Sequence, residues 1–308
     1  MTICRLQAGE LPQATAAWLH RRTLLGSIEF ARLWETMGGQ VIYWAASDGD
    51  RIVALLPGLE FGQGRLARYQ AMPDGLYATL LFPEGKPADP TAIAEALLER
   101  LAARKYARVF INDYYAQFGH HDLFKVRDSQ TLLVDISSDA WQPPDKKLQS
   151  EIRKAGREKI RLQVFSFNRH FDSFLDLMKH TERRHGRKPK YPDAFYRALG
   201  KLAMTDNRVK WLVCEHEGKL AASHIYLVEN DMALNWQVFF DKSFSFLKPN
   251  QFITYSVARE LALRGVALLN LGATPRDAET LDRYKQKWGG RSHQYHCLER
   301  KSLLGRWL

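Results

Sequence analysis

Residues 209–240, VKWLVCEHEGKLAASHIYLVENDMALNWQVFF, decide the fold. Val209–Cys214 and Leu220–Val228 are rich in apolar and aromatic side chains, and Glu217-Gly218-Lys219 between them supplies the turn of a hairpin. Met232–Phe240 reads as a third strand, apolar on both faces and therefore expected inside a sheet. Downstream, Asn250–Arg264 repeats apolar residues at three- and four-residue spacing, which predicts a helix stopped by Gly265. Leu268–Leu271 is the strand that follows.

The first half of the chain follows the same order. Gln40–Phe61 contains two β-rich runs around Asp48-Gly49-Asp50, and Arg65–Phe82 is a further β-rich stretch broken at Pro73-Asp74-Gly75. Pro90–Lys105 has the proline start, apolar spacing and cationic last turn of a helix, and Arg108–Asn112 is a short buried strand. The two halves align at Trp44 and Trp211, at the polar hairpin tips, and at Ile52-Val53-Ala54 against Leu220-Ala221-Ala222. This pattern predicts an internal duplication of α/β (α+β) class, each unit a mixed, mainly antiparallel sheet flanked by helices. Ser137–Asp145, SSDAWQPPD, is polar and Pro-rich, which places the division between residues 1–138 and 139–308.

At 308 residues, 45% hydrophobic and 26% charged, the chain has enough apolar material for one large or two ordinary cores, which excludes an intrinsically disordered protein. The net charge of +11 is unevenly spread: residues 1–138 carry −1 and residues 139–308 carry +12. Two stretches, Lys146–Arg161 and Lys179–Lys190, carry +5 each. Helix-end electrostatics accounts for two or three of the second group and leaves the rest, so binding to phosphate groups is expected there. Cys4, Cys214 and Cys297 form no close pair, which argues against a disulfide framework or zinc ribbon and for a reducing, cytoplasmic setting. The first residues, MTICRLQAGELPQ, lack signal-peptide character, and no apolar run approaches the roughly 18 residues of a membrane span. Peripheral contact of a basic face with a membrane surface stays open.

Near the C-terminus, Leu281–Gly290 reads LDRYKQKWGG. A helix there would align Leu281, Tyr284 and Trp288 on one face with Lys285 beside it, an arrangement that suits a core face with a snorkelling lysine as well as a site. His224, within an apolar strand, reads as a satisfied core histidine. His293 and His296 would fall on opposite faces of a strand, so no metal site is expected. Asp277 and Glu279 precede the last helix either as a proton relay or as helix N-terminal charges, and neither is assigned as a base.

Over about residues 145–298 the chain resembles the Fem-type peptidyl transferases and their relatives within the GNAT acyltransferase superfamily. The matching pieces are EIRKAGREKIRLQV, MKHTERRHGRKP, VCEHEGKLAASHIYLV, LKPNQFITYSVARELALRGVALLNLGAT and YKQKWGG, in that order. The resemblance implies two tandem GNAT-like units and an acyltransferase that moves an activated acyl group onto the amine of a small-molecule or peptide acceptor. It implies aminoacyl-tRNA as co-substrate, no permanently bound cofactor, and an aromatic-lysine pair at the acyl carbonyl, here Tyr284 and Lys285. Arg184 matches the arginine of the MxxTxxR pattern that meets acceptor phosphates; Arg183, Lys188 and Lys190 of the basic stretch, with Trp236 and Asn250, are further substrate-binding candidates of the sequence itself. ARLWETMGG lacks the lysine that the cell-wall enzymes carry there, so a murein precursor as acceptor is not implied. There is also no coiled-coil arm of the kind some Fem proteins insert.

The alternative donor is acyl-CoA, whose pyrophosphate GNAT enzymes hold with a Gly-rich turn opening a helix. The corresponding turn, Phe246-Leu247-Lys248-Pro249-Asn250-Gln251, has no glycine, which disfavours close backbone approach. Lys248, Asn250 and Gln251 nonetheless remain candidates for holding a phosphate. A third reading is a catalytically silent module that binds RNA or a membrane surface.

Overall fold

The computed structural model describes every residue except 74, 78, 120, 159, 275–277, 304 and 306–308. From the N-terminus the elements are β1 (Thr2–Gln7), α1 (Gln13–Arg22), α2 (Ile28–Ala31), β2 (Gly39–Asp48), β3 (Arg51–Phe61), β4 (Arg68–Ala71), α3 (Pro90–Ala103) and β5 (Arg108–Asp113). There follow β6 (Lys125–Asp135), α4 (Lys146–Arg157), β7 (Ile160–Val164), α5 (Phe167–Arg184), α6 (Asp193–Thr205), β8 (Val209–His216), β9 (Lys219–Glu229) and β10 (Met232–Phe240). The chain closes with α7 (Pro249–Ala262), β11 (Leu268–Ala273), α8 (Glu279–Gln286) and β12 (Arg291–Lys301).

Two compact units result, residues 1–130 with 294–308, and residues 131–293. In the first, β1 to β4 pair antiparallel in sequence order, and β4 lies parallel to β5 after the α3 crossover. In the second, β7 to β10 pair antiparallel in the same order, and β10 lies parallel to β11 after the α7 crossover. The sixth strand of the first unit is β12, antiparallel to β5; that of the second is the end of β6, antiparallel to β11. The repeated order is the backbone form of the duplication read in the sequence.

The units are drawn differently from the sequence division at 138 and 139. Leu132, Val134 and Ile136 precede the Pro-rich stretch, yet they pack with Leu148, Ile253 and Trp288 in the second unit's core. His296 to Lys301 in turn pair with residues 108–113 in the first. A composition change marks a flexible connection but not where strand edges find partners.

Local chemistry places the helices that matter. Asp145 caps α4 by accepting from the Leu148 N–H at 2.6 Å, and Leu148, Ile152 and Ala155 turn inward while the cations of α4 face solvent. The helix ends at Arg157, and the rest of the basic stretch 146–161 leads into β7, which pairs with β8. Asp89 caps α3 through the Ala92 N–H, with Pro90 at its first position. Among its described residues, Arg65–Phe82 contributes only the four paired residues of β4 and one bridge, Leu55 with Leu81. Among the described residues no helix is long and apolar enough to cross a membrane.

One close approach tests the first unit. A Cβ on Gly58 of β3 would lie 2.5 Å from the ring of Tyr69, which is fully buried on β4. Gly58→Ala is expected to destabilise by about 1–3 kcal/mol in urea unfolding, because the ring has no free volume into which to retreat.

Candidate functional site

The second unit's sheet opens beside β10. Pairing of β10 with β11 runs from Met232 to Leu234 and stops, and β10 then bulges between Asn235 and Gln237. On the β11 side Gly272 takes a positive φ of 75°, which glycine adopts without strain. Asn270, 2% exposed, pins this turn: its Oδ1 accepts from the Gly272 N–H at 2.8 Å and from the Thr131 hydroxyl at 2.6 Å. The backbone carbonyls of Gly272 and Ala273 are thereby fixed.

Lys285 on α8 uses those carbonyls. Its Nζ donates to Gly272 O at 2.7 Å and to Ala273 O at 3.0 Å, and the residue is only 6% exposed. Burial lowers its pKa to about 8, with the Asp282 charge opposing that shift. An ammonium has three N–H groups, so one remains beyond the two carbonyl contacts. Tyr284, half-buried beside it, packs edge-on against the fully buried Trp288, and burial holds its hydroxyl well above the usual phenol range. Leu281, expected on the same inward face, is instead 40% exposed, so the buried side of α8 is Tyr284 and Lys285, followed by Trp288 just past its end. Of the two acids before this helix, Glu279 is its exposed first residue and Asp277 lies outside the described residues.

The N-terminus of α7 lies in the same unit. Lys248 precedes it in the left-handed region, and Pro249 occupies its first position. Helix geometry leaves the Asn250 and Gln251 amides without intrahelical acceptors, a setting that favours negative charge. That charge is supplied internally. Glu151 of α4 stands 3.2 Å from Lys248 Nζ and accepts from Gln251 Nε2 at 3.3 Å. Glu151 also acts electrostatically on Tyr284, which connects this helix end to α8.

Asn250 is engaged with His224 of β9, its Oδ1 lying 3.0 Å from His224 Nε2. The other ring nitrogen is 3.1 Å from the Tyr226 hydroxyl, itself 3.2 Å from Thr254 Oγ1. His224, 1% exposed, is thus the satisfied core histidine that its apolar strand suggested.

The expected acceptor-side residues gather at the end of α5. Arg184 donates to Phe240 O at 2.7 Å and stacks over the Phe240 ring, so this guanidinium braces the end of β10. Arg183 and Lys188 are exposed. Lys190, also exposed, and Trp236, half-buried, meet around Tyr191: Lys190 Nζ is 5.9 Å from the Tyr191 ring, and the Trp236 ring is likewise 5.9 Å away. His296 bonds Asp128 in the first unit, and the described residues hold no cluster of metal-ligating side chains.

Sequence reasoning missed Glu151 and Asn270. Glu151 is one of two anions in a stretch of seven cations, so a net-charge count hides it. Asn270 did carry a signal, a lone amide in an apolar strand two residues before a glycine.

Residues 145–286 match the family model of the acetyltransferase (GNAT) domain. Three solved structures share the fold over nearly the whole chain. The first is FemX, at TM-score 0.70 and 11% identity, covering 96% of this chain and 97% of that one. The C-terminal domain of a putative lysylphosphatidylglycerol synthetase from Agrobacterium fabrum follows at TM-score 0.62 and 15% identity, covering 96% and 93%. A tandem GNAT protein from the clavulanic acid biosynthesis pathway aligns at TM-score 0.54 and 12% identity, covering 97% and 98%. No curated protein sequence matches the chain significantly. Residues 145–286 therefore match the acetyltransferase (GNAT) domain, and over nearly the whole chain the fold is the one seen in FemX and in the tandem GNAT protein.

The His224 network makes a pH prediction. Burial lowers the His224 pKa from 6.5 to about 4, against the opposing contact with Asn250. Between those values the unfolded chain takes up a proton that the folded chain refuses, so stability falls as pH drops through that window and levels off below it. The loss reaches about 3 kcal/mol. Urea unfolding across pH should show this slope in the native chain and a flatter one in His224→Gln.

Proposed function

We propose that the protein is an N-acyltransferase that transfers an aminoacyl group from aminoacyl-tRNA to the amine of a small-molecule or peptide acceptor, with Lys285 stabilising the oxyanion. The observation that carries this reading is a buried ammonium with two N–H groups held by fixed carbonyls and one left over. When an amine attacks an ester carbonyl, the new C–N bond forms and negative charge collects on the carbonyl oxygen. A donor already oriented in a dry site stabilises that charge without reorganising. Collapse of the intermediate breaks the C–O bond to the ribose, whose oxygen leaves with a proton while the acceptor nitrogen gives one up.

Two features support tRNA over acyl-CoA as donor. The cations of α4 are exposed along one face, with Lys146, Lys147, Arg153, Lys154 and Arg157 all turned to solvent, and Arg183 and Lys188 add to the basic surface. Such a surface suits a polyphosphate backbone. At α7, where a donor pyrophosphate would need Lys248 and Gln251, both are engaged by Glu151, and a second anion there would meet like-charge repulsion. FemX, a lysylphosphatidylglycerol synthetase domain and a tandem GNAT protein stand among the similar structures, which supports acyl transfer in general and leaves the choice of donor to the two features above. Cysteine usage favours a reducing, cytoplasmic setting, and no cofactor beyond the co-substrate is required.

Incubation with a charged tRNA pool and, separately, with acyl-CoA thioesters should consume the aminoacyl ester and form an amide detectable by mass spectrometry. Consumption of thioester alone would overturn the tRNA donor. Lys285→Ala is expected to lower single-turnover transfer about 10²–10³-fold with little change in donor affinity. The ammonium is the working form, so native transfer should fall as pH rises through about 8. That falling limb should be absent from Lys285→Arg, whose guanidinium does not titrate there. Glu151→Gln removes the internal anion and should raise calorimetric affinity for CoA about tenfold or more; unchanged affinity would remove Glu151 from donor choice.

A further inference from the structure

The first unit contains a cavity that the acyl-transfer reading does not use. It has a volume of about 390 Å³, within the range of small-molecule pockets. One wall is β1, which pairs at the sheet edge with β2 and sets Arg5 directly opposite Trp44. The other wall is the end of α3, with Arg100, Ala103 and Arg104. Ile3, Trp44 and Ala103 supply its apolar lining.

The three arginines are differently committed. Arg5 is locked by a fork to Glu60, at 2.8 and 2.6 Å, and reaches Gln40 at 3.2 Å. Arg104 stands 3.8 Å from the same carboxylate, beyond hydrogen-bond reach, with its guanidinium over the Tyr106 ring. Arg100 has no side-chain partner among the described residues. Glu60 is further occupied by the Tyr106 hydroxyl. Arg5 and Arg104 therefore share the Glu60 carboxylate and Arg100 stands on the same lining without one; with Glu10, which acts on Cys4 of the lining, three guanidinium charges face two carboxylates in a half of the chain whose residues 1–138 sum to −1. Cations in the last turn of a helix complement its dipole, which accounts for Arg100. It does not account for Arg5, which comes from a strand, or for the open space between them.

We infer that this cavity binds a small organic molecule carrying a doubly charged oxyanion group, a phosphomonoester or a geminal dicarboxylate, next to an apolar portion. Guanidinium forks match both groups through paired N–H···O bonds, and Arg100 and Arg104 have donors to give. The Glu60 pair keeps Arg5 extended along the wall, and the Trp44 and Ile3 side chains receive the apolar part.

Isothermal titration calorimetry with phenyl phosphate, phenylmalonate and phenylacetate tests this. Saturable binding of phenyl phosphate or phenylmalonate is expected, whichever binds identifying the group, with phenylacetate about tenfold weaker or more for want of the second charge. Arg100→Gln/Arg104→Gln should abolish the preference while leaving the thermal midpoint unchanged, and Arg100→Gln alone should weaken it if the double variant folds poorly. Absence of saturable binding to either dianion, or equal affinity in the variants, which would place the dianion on the basic second unit, overturns the inference. None of these readouts involves acyl transfer, so they stand or fall independently of the donor assignment.

Discussion

The burial of Lys285 against two backbone carbonyls is the constraint on which the second unit's site depends. An ammonium taken out of water must be hydrogen-bonded or lose its proton, and here Gly272 and Ala273 supply the bonds while burial moves its pKa to about 8. Those carbonyls are available because β11 leaves β10 after Asn270 and turns through a glycine of positive φ. Asn270 holds that turn through the Gly272 N–H, and Trp288, just past the end of α8, lies in the core while Lys285 reaches the two carbonyls. Sheet opening, helix placement and lysine chemistry are thus consequences of one another.

A second constraint acts at the N-terminus of α7. A helix end with Pro at its first position and a lysine before it is a setting for an anion, and the chain fills it with its own carboxylate from α4. The helix that delivers Glu151 toward Lys248 and Gln251 turns its cations outward, so one amphipathic segment carries both an internal ion pair and a basic surface. The network of Asn250, His224, Tyr226 and Thr254 ties the same helix to the sheet with buried, mutually satisfied polar groups.

Much of this was legible in the chain. The Asp48-Gly49-Asp50 and Glu217-Gly218-Lys219 turns, the β-rich runs beside them and the two crossover helices read directly, because hairpin turns and amphipathic periods are local properties. The short edge strands β1 and β7 did not read, since Thr2–Gln7 and Ile160–Val164 have little pattern of their own and become strands by pairing with β2 and β8. Tyr284 and Lys285 were legible as a motif, but Leu281 was misplaced because the helix presents a narrower buried face than its spacing suggests. Glu151 escaped because its importance lies in what faces it across α4 and α7, one hundred residues away along the chain for Gln251.

By itself the sequence determined the duplicated order of strands and helices, the concentration of positive charge in the second half, and the aromatic-lysine motif near the C-terminus. These follow from side-chain period, turn chemistry and composition, which act over a few residues. Tertiary structure decided which unit owns residues 131–138 and 294–301, which cations are braces and which are free, and that Lys285 is buried with one donor to spare. Those outcomes depend on long-range pairing and desolvation, where the partner of a charged group is set by the fold and not by its neighbours in the chain.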